Sequence, residues 1–80
     1  MPHLYKTSGV CSRSIRFELD EGIVRNVRFE GGCSGNLQGV ARLAEGRPAA
    51  EVVSVLSGIR CDSKVTSCPD QLARALRELL

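Results

Sequence analysis

Tryptophan is absent, histidine occurs once, and the only aromatic residues are Tyr5, Phe17 and Phe29. An aromatic-rich core is therefore excluded, and packing has to come from aliphatic side chains. The stacking platforms that hold single-stranded nucleic acid are missing as well, because no aromatic pair sits near the arginines. Charge of one sign is equally scarce. Eleven Lys and Arg face nine Asp and Glu, for a formal net charge of +2, and the charges are dispersed along the chain. That balance gives no footprint for a polyanion and argues against nucleic acid as a partner. No apolar run approaches the ~18 residues that a membrane span needs. The opening stretch Met1 to Lys6 lacks the apolar segment of a signal peptide, so the chain reads as cytoplasmic. No C-x-x-C pair occurs, and no Ser-His-Asp or Cys-His pairing for nucleophilic catalysis is evident.

Eighty residues make one domain, 1–80, with a modest core. Domains of this size are often helped by disulfides, metal or oligomerisation. Leu4 to Thr7 is compatible with a short edge strand. Ser14 to Leu19 alternates Ile15, Phe17 and Leu19 with polar residues, the period of a half-buried strand. Asp20-Glu21-Gly22 signals a tight turn, and Ile23 to Glu30 follows as the hairpin partner. Strict alternation places Arg25 on the apolar side with Val27 and Phe29, which predicts a bulge or an edge position there.

After Gly31-Gly32 the period changes. Leu37, Val40, Ala41, Leu43 and Ala44 follow helical spacing, with Ser34 as the expected cap and Gly46 as the stop. Small residues at Gly35 and Gly39 leave room for another backbone or a ligand. A second helix is predicted from Pro48, with Val52, Val53 and Leu56 as its stripe, ending at Gly58. A third starts at Ser67, whose spacing to Asp70 is that of a capping box, and buries Leu72, Leu76, Leu79 and Leu80. The expected class is α+β, a small antiparallel sheet of two or three strands with three helices packed on one face.

Four cysteines sit at the joints of these elements: Cys11, Cys33, Cys61 and Cys68. Helix N-termini and nearby cations favour thiolate chemistry. Cys33 and Cys68 lie at helix starts, and Arg60 and Lys64 flank Cys61. Hairpin pairing brings Cys11, three residues before Ser14, and Cys33, three after Glu30, to the same end of the sheet. If the third helix starts at that end, Cys68 and Cys61 join them. Four convergent thiolates would hold zinc or an iron–sulfur cluster. A redox disulfide and four independent reduced thiols are the alternatives. Gly31-Gly32-Cys33-Ser34-Gly35-Asn36 lacks the spacings of a P-loop or a dinucleotide fingerprint and reads as a turn and helix start.

Thr66-Ser67-Cys68-Pro69-Asp70 spells TSCPD. Together with Gly31-Gly32-Cys33-Ser34-Gly35-Asn36 and Gly58-Ile59-Arg60-Cys61, it resembles the TSCPD-domain family over nearly the whole chain. Related domains end adenosylcobalamin-dependent ribonucleotide reductases. The resemblance therefore implies an association with ribonucleoside-diphosphate reduction, with a reductase subunit or a nucleotide as partner. A chain this short has no room for the reductase's own radical-generating barrel and cobalamin pocket. The order of motifs is also similar, more distantly, to iron–sulfur cluster scaffold proteins. That likeness implies that Cys11, Cys33 and Cys68 correspond to the scaffold's three cluster-binding cysteines. Ser12 and Arg13 follow Cys11 where the scaffolds carry an aspartate, and Ser67 stands where they carry a histidine; on this resemblance Cys61 is the expected substitute as fourth ligand. The implied functions are an accessory module holding zinc or a cluster, a cluster scaffold or transfer protein, and a metal-free nucleotide- or protein-binding domain.

Overall fold

The alternating stretches pair as the hairpin that their pattern predicts. A computed structural model describes residues 2–32 and 34–80. Pro2–Lys6 (β1), Ser12–Asp20 (β2) and Ile23–Gly31 (β3) form an antiparallel sheet in the order β1-β2-β3. Helices Ser34–Ala44 (α1), Ala49–Leu56 (α2) and Cys68–Arg77 (α3) follow. The architecture is α+β, with a three-stranded sheet and three helices.

The β2–β3 turn needs only Glu21 and Gly22, both at positive φ (52° and 82°). That backbone matches the right-handed twist of the strands, and glycine adopts it without steric cost. Further along, the register slips by one residue. Arg16 pairs with Arg28, whereas Glu18 pairs with Arg25. Asn26, at φ 53°, is the extra residue, and its backbone N–H donates to Glu45 Oε1 at 2.8 Å. The bulge turns Arg25 outward and places both Val24 and Val27 in the core, where unbroken alternation would have buried Arg25 instead.

The core joins Ile15 and Phe17 of β2 and Val24 and Val27 of β3 to Ala44, Ala49, Val52, Leu72, Ala75 and Leu76 of the helices. Ile15, Leu72 and Leu76 have no exposed surface at all. Each contributes about 1.5–3 kcal/mol by leaving water. With small alanines between the large side chains, α3 packs close to the rest of the core, and Gln71, Leu72, Ala73, Ala75 and Leu76 are all buried.

Two apolar readings are corrected. Leu79 and Leu80 are exposed (45% and 66%), because α3 ends at Arg77 and the chain beyond it leaves the helical spiral that carried the stripe inward. Leu43 is also exposed, at 69%. Leu37 and Ala44 carry the buried face of α1, and Leu43 lies to one side of it. The connection from α1 to α2 doubles back on β3. Gly46 N donates to Val24 O, Val24 N to Arg47 O, and Ala49 N to Gly22 O, at 2.8–2.9 Å. Those bonds cover the first half of the outer edge of β3.

Candidate functional site

The TSCPD stretch is a clamp in which each residue has a structural role. Ser67, in extended conformation, caps α3 by accepting from Asp70 N at 3.1 Å. This is half of a capping box. The Asp70 carboxylate does not return to Ser67; it stays buried and gathers three donors from three segments. Gly58 N donates to it at 2.7 Å, Thr66 Oγ1 donates to it, and Arg74 Nε donates at 3.0 Å. Pro69 stands in the first turn, where its missing N–H costs nothing. Gln71 extends the network: its Nε2 donates to Thr66 Oγ1 at 3.0 Å, and its Oε1 accepts from Ser8 N at 3.2 Å. Among the described residues no buried side-chain polar atom lacks a partner.

Burial alone would raise the Asp70 pKa. The hydrogen bonds from Thr66 and Gly58 and the charge of Arg74 outweigh that effect and hold the carboxyl below the usual aspartate range. Asp70 is therefore a buried anion that ties the end of α2 to the start of α3.

The same end of the sheet gathers cysteine-bearing segments. Ser12, the first residue of β2, places its Oγ 3.1 Å from Cys68 Sγ, the first residue of α3. Lys64 Nζ lies 3.9 Å from the exposed Cys11 Sγ. The loop that presents Lys64 is closed by Cys61 N donating to Thr66 O at 3.2 Å and by Lys64 N donating to Cys61 O at 2.9 Å. On the other strand Ser12 pairs with Gly31, and Gly32 lies against the Cys11–Ser12 backbone so closely that a Cβ there would meet Ser12 N at 3.1 Å. Cys11, Cys61 and Cys68 carry free thiols; the first two are exposed and Cys68 is buried.

A family model for the TSCPD domain matches residues 3–80. The chain belongs to the TSCPD-domain family. No curated protein and no solved structure matches it, so the likeness to iron–sulfur scaffolds rests on the order of motifs alone.

In this TSCPD domain the expected thiolate set is only partly visible. Cys33 lies outside the described residues. Sulfur donors suit zinc or an iron–sulfur cluster. Yet among the described residues no group of three or more His, Cys, Asp or Glu side chains is placed to share a metal ion. Cys68 is occupied by Ser12, Cys11 faces Lys64, and Cys61 sits exposed on its own loop. The sequence does not mark Ser12 as the partner of Cys68. Its signal was slight: a serine at the first position of an alternating strand, one residue after a cysteine. No helix among the described residues is long and apolar enough to cross a membrane.

Proposed function

We propose that this TSCPD domain is an accessory module of ribonucleotide reduction that works through the thiols at one end of its sheet. The observation that carries the reading is the meeting of segments at that end. Cys11, the Cys61–Thr66 loop and Cys68 are linked there through Lys64 and Ser12. The link to ribonucleotide reductases comes from the resemblance of the motifs to reductase-associated TSCPD domains; the family match supports membership of the TSCPD family. A reductase subunit is the partner this reading names. The exposed Leu43 and Val55, which border an apolar groove between α1 and α2, support contact with a protein.

Cys11, Cys33, Cys61 and Cys68 are the residues that would hold zinc or an iron–sulfur cluster. Their chemistry favours this; the bond from Ser12 to Cys68 opposes it, since a bound metal would have to take that sulfur from its buried partner. Elemental analysis of protein purified without oxygen, together with a free-thiol count, separates the two forms of the proposal. About one zinc or one cluster per chain, with loss of folding in chelator, is the result expected of a metal module. Metal-free protein with all four thiols titratable, and equal stability in chelator, removes the metal. A host reductase that never co-purifies with the tagged domain removes the accessory role.

A further inference from the structure

The second half of β3 and the adjoining face of α1 border a groove of about 750 Å³, a size that suits a small-molecule ligand. Arg16 and Arg28 line it from the sheet and Arg42 from α1, with Glu30 as the one acidic residue. The lining thus carries a net charge of two positive, as much as the formal charge of the whole chain. Phe29, Leu37 and Ala41 provide an apolar wall.

The charges are incompletely paired. Arg16 and Arg28 stand directly opposite each other on neighbouring strands, an arrangement that costs stability when nothing lies between them. Arg16 Nε is 3.2 Å from Glu30 Oε1, and Ser14 Oγ donates to the same oxygen at 2.7 Å. Those contacts hold the Glu30 carboxyl below its usual range, Ser14 first and Arg16 next, so Glu30 stays ionised and orients Arg16. Among the described residues neither Arg28 nor Arg42 has an ion-pair partner. One carboxylate would leave the groove positive. A phosphate group carries enough charge to neutralise it and matches the guanidinium fork.

We propose that this groove binds an organic phosphate, a ligand with at least two negative charges on a body that has an apolar face. The proposal is independent of the thiol end of the sheet. Its test is a ¹⁵N NMR titration of the full chain with ATP, with sodium triphosphate and a single-stranded DNA oligonucleotide as parallel arms. The expected result is ATP-dependent shifts centred on Arg28, Phe29, Leu37 and Arg42. The affinity should fall at least tenfold in Arg28→Ser and in Arg42→Ser, and stay unchanged in Arg60→Ser. Triphosphate should bind more weakly than ATP. The exposed positions leave the fold intact, which the unshifted remainder of each spectrum reports. No shifts at millimolar ATP would overturn the proposal. So would equal losses in Arg60→Ser, triphosphate matching ATP, or the oligonucleotide binding more tightly than ATP.

Discussion

Ser12 Oγ and Cys68 Sγ meet at 3.1 Å, both buried, across 56 positions of sequence. The contact fixes the start of β2 against the start of α3, so the sheet and the most buried helix share one end. Thr7 strengthens that corner by donating from Oγ1 to Ser12 O, and Ser8 N reaches Gln71.

This placement predicts unequal cysteines. Native protein treated briefly with iodoacetamide should be modified at Cys11 and Cys61, with Cys68 protected until the chain is unfolded. Peptide mapping by mass spectrometry reads the order. Ser12→Ala should cost on the order of 1 kcal/mol in a urea melt and speed the labelling of Cys68. Labelling of Cys68 as fast as Cys61 in the folded wild type would contradict the buried contact.

Glycines on either side of the start of α1 should respond in opposite directions. Gly32 stands at φ 80°, and an added Cβ would meet Leu37 Cδ1 at 3.0 Å and the Ser12 backbone at 3.1 Å. Gly32→Ala should therefore lower stability by about 1–3 kcal/mol. Gly39 has nothing within 4 Å of the same added atom, so its expected role of admitting a neighbouring backbone is not used within the described chain. Gly39→Ala should raise stability by about 0.5–1 kcal/mol through helix propensity. Paired thermal melts check both, and equal effects of the two substitutions would sink the contrast.

Asp70 should shape the acid limb of stability. Its folded pKa lies below the unfolded value, so its stabilisation is fully present above about pH 4 and is lost as pH falls through the folded value. Asp70→Asn should cost about 1–3 kcal/mol at pH 7, because Gly58 N, Thr66 and Arg74 lose their charged acceptor. The gap between wild type and variant should close toward pH 2. A gap that stayed constant from pH 7 to pH 2 would show that the carboxylate charge contributes nothing.

Local signals were readable wherever the physics was local. Ser67 announces a helix start because a serine hydroxyl fits the orphan N–H groups, and Glu21-Gly22 announces a turn because its backbone needs positive φ. Those signals place the β2–β3 hairpin and the start of α3 without tertiary information. Leu79 and Leu80 misled for the same reason: spacing shows which face they would take if the helix continued, and not where it stops. The arginine groove was hidden. Arg16 and Arg28 are ordinary outward residues of alternating strands, and Arg42 an ordinary residue of an exposed helix face, until the sheet edge and α1 are brought side by side.

By itself, the sequence determined the elements, their order, the α+β class and membership of the TSCPD family. Periodicity, caps and turn residues act within a few positions of the chain. Only the tertiary structure decided what the TSCPD motif does. Asp70 binds Gly58, Thr66 and Arg74, Cys68 turns to Ser12, and Asn26 shifts the register that buries Val24. Each of those outcomes depends on which distant groups compete for the same hydrogen bond or the same buried volume, and that competition exists only once the sheet and helices have packed.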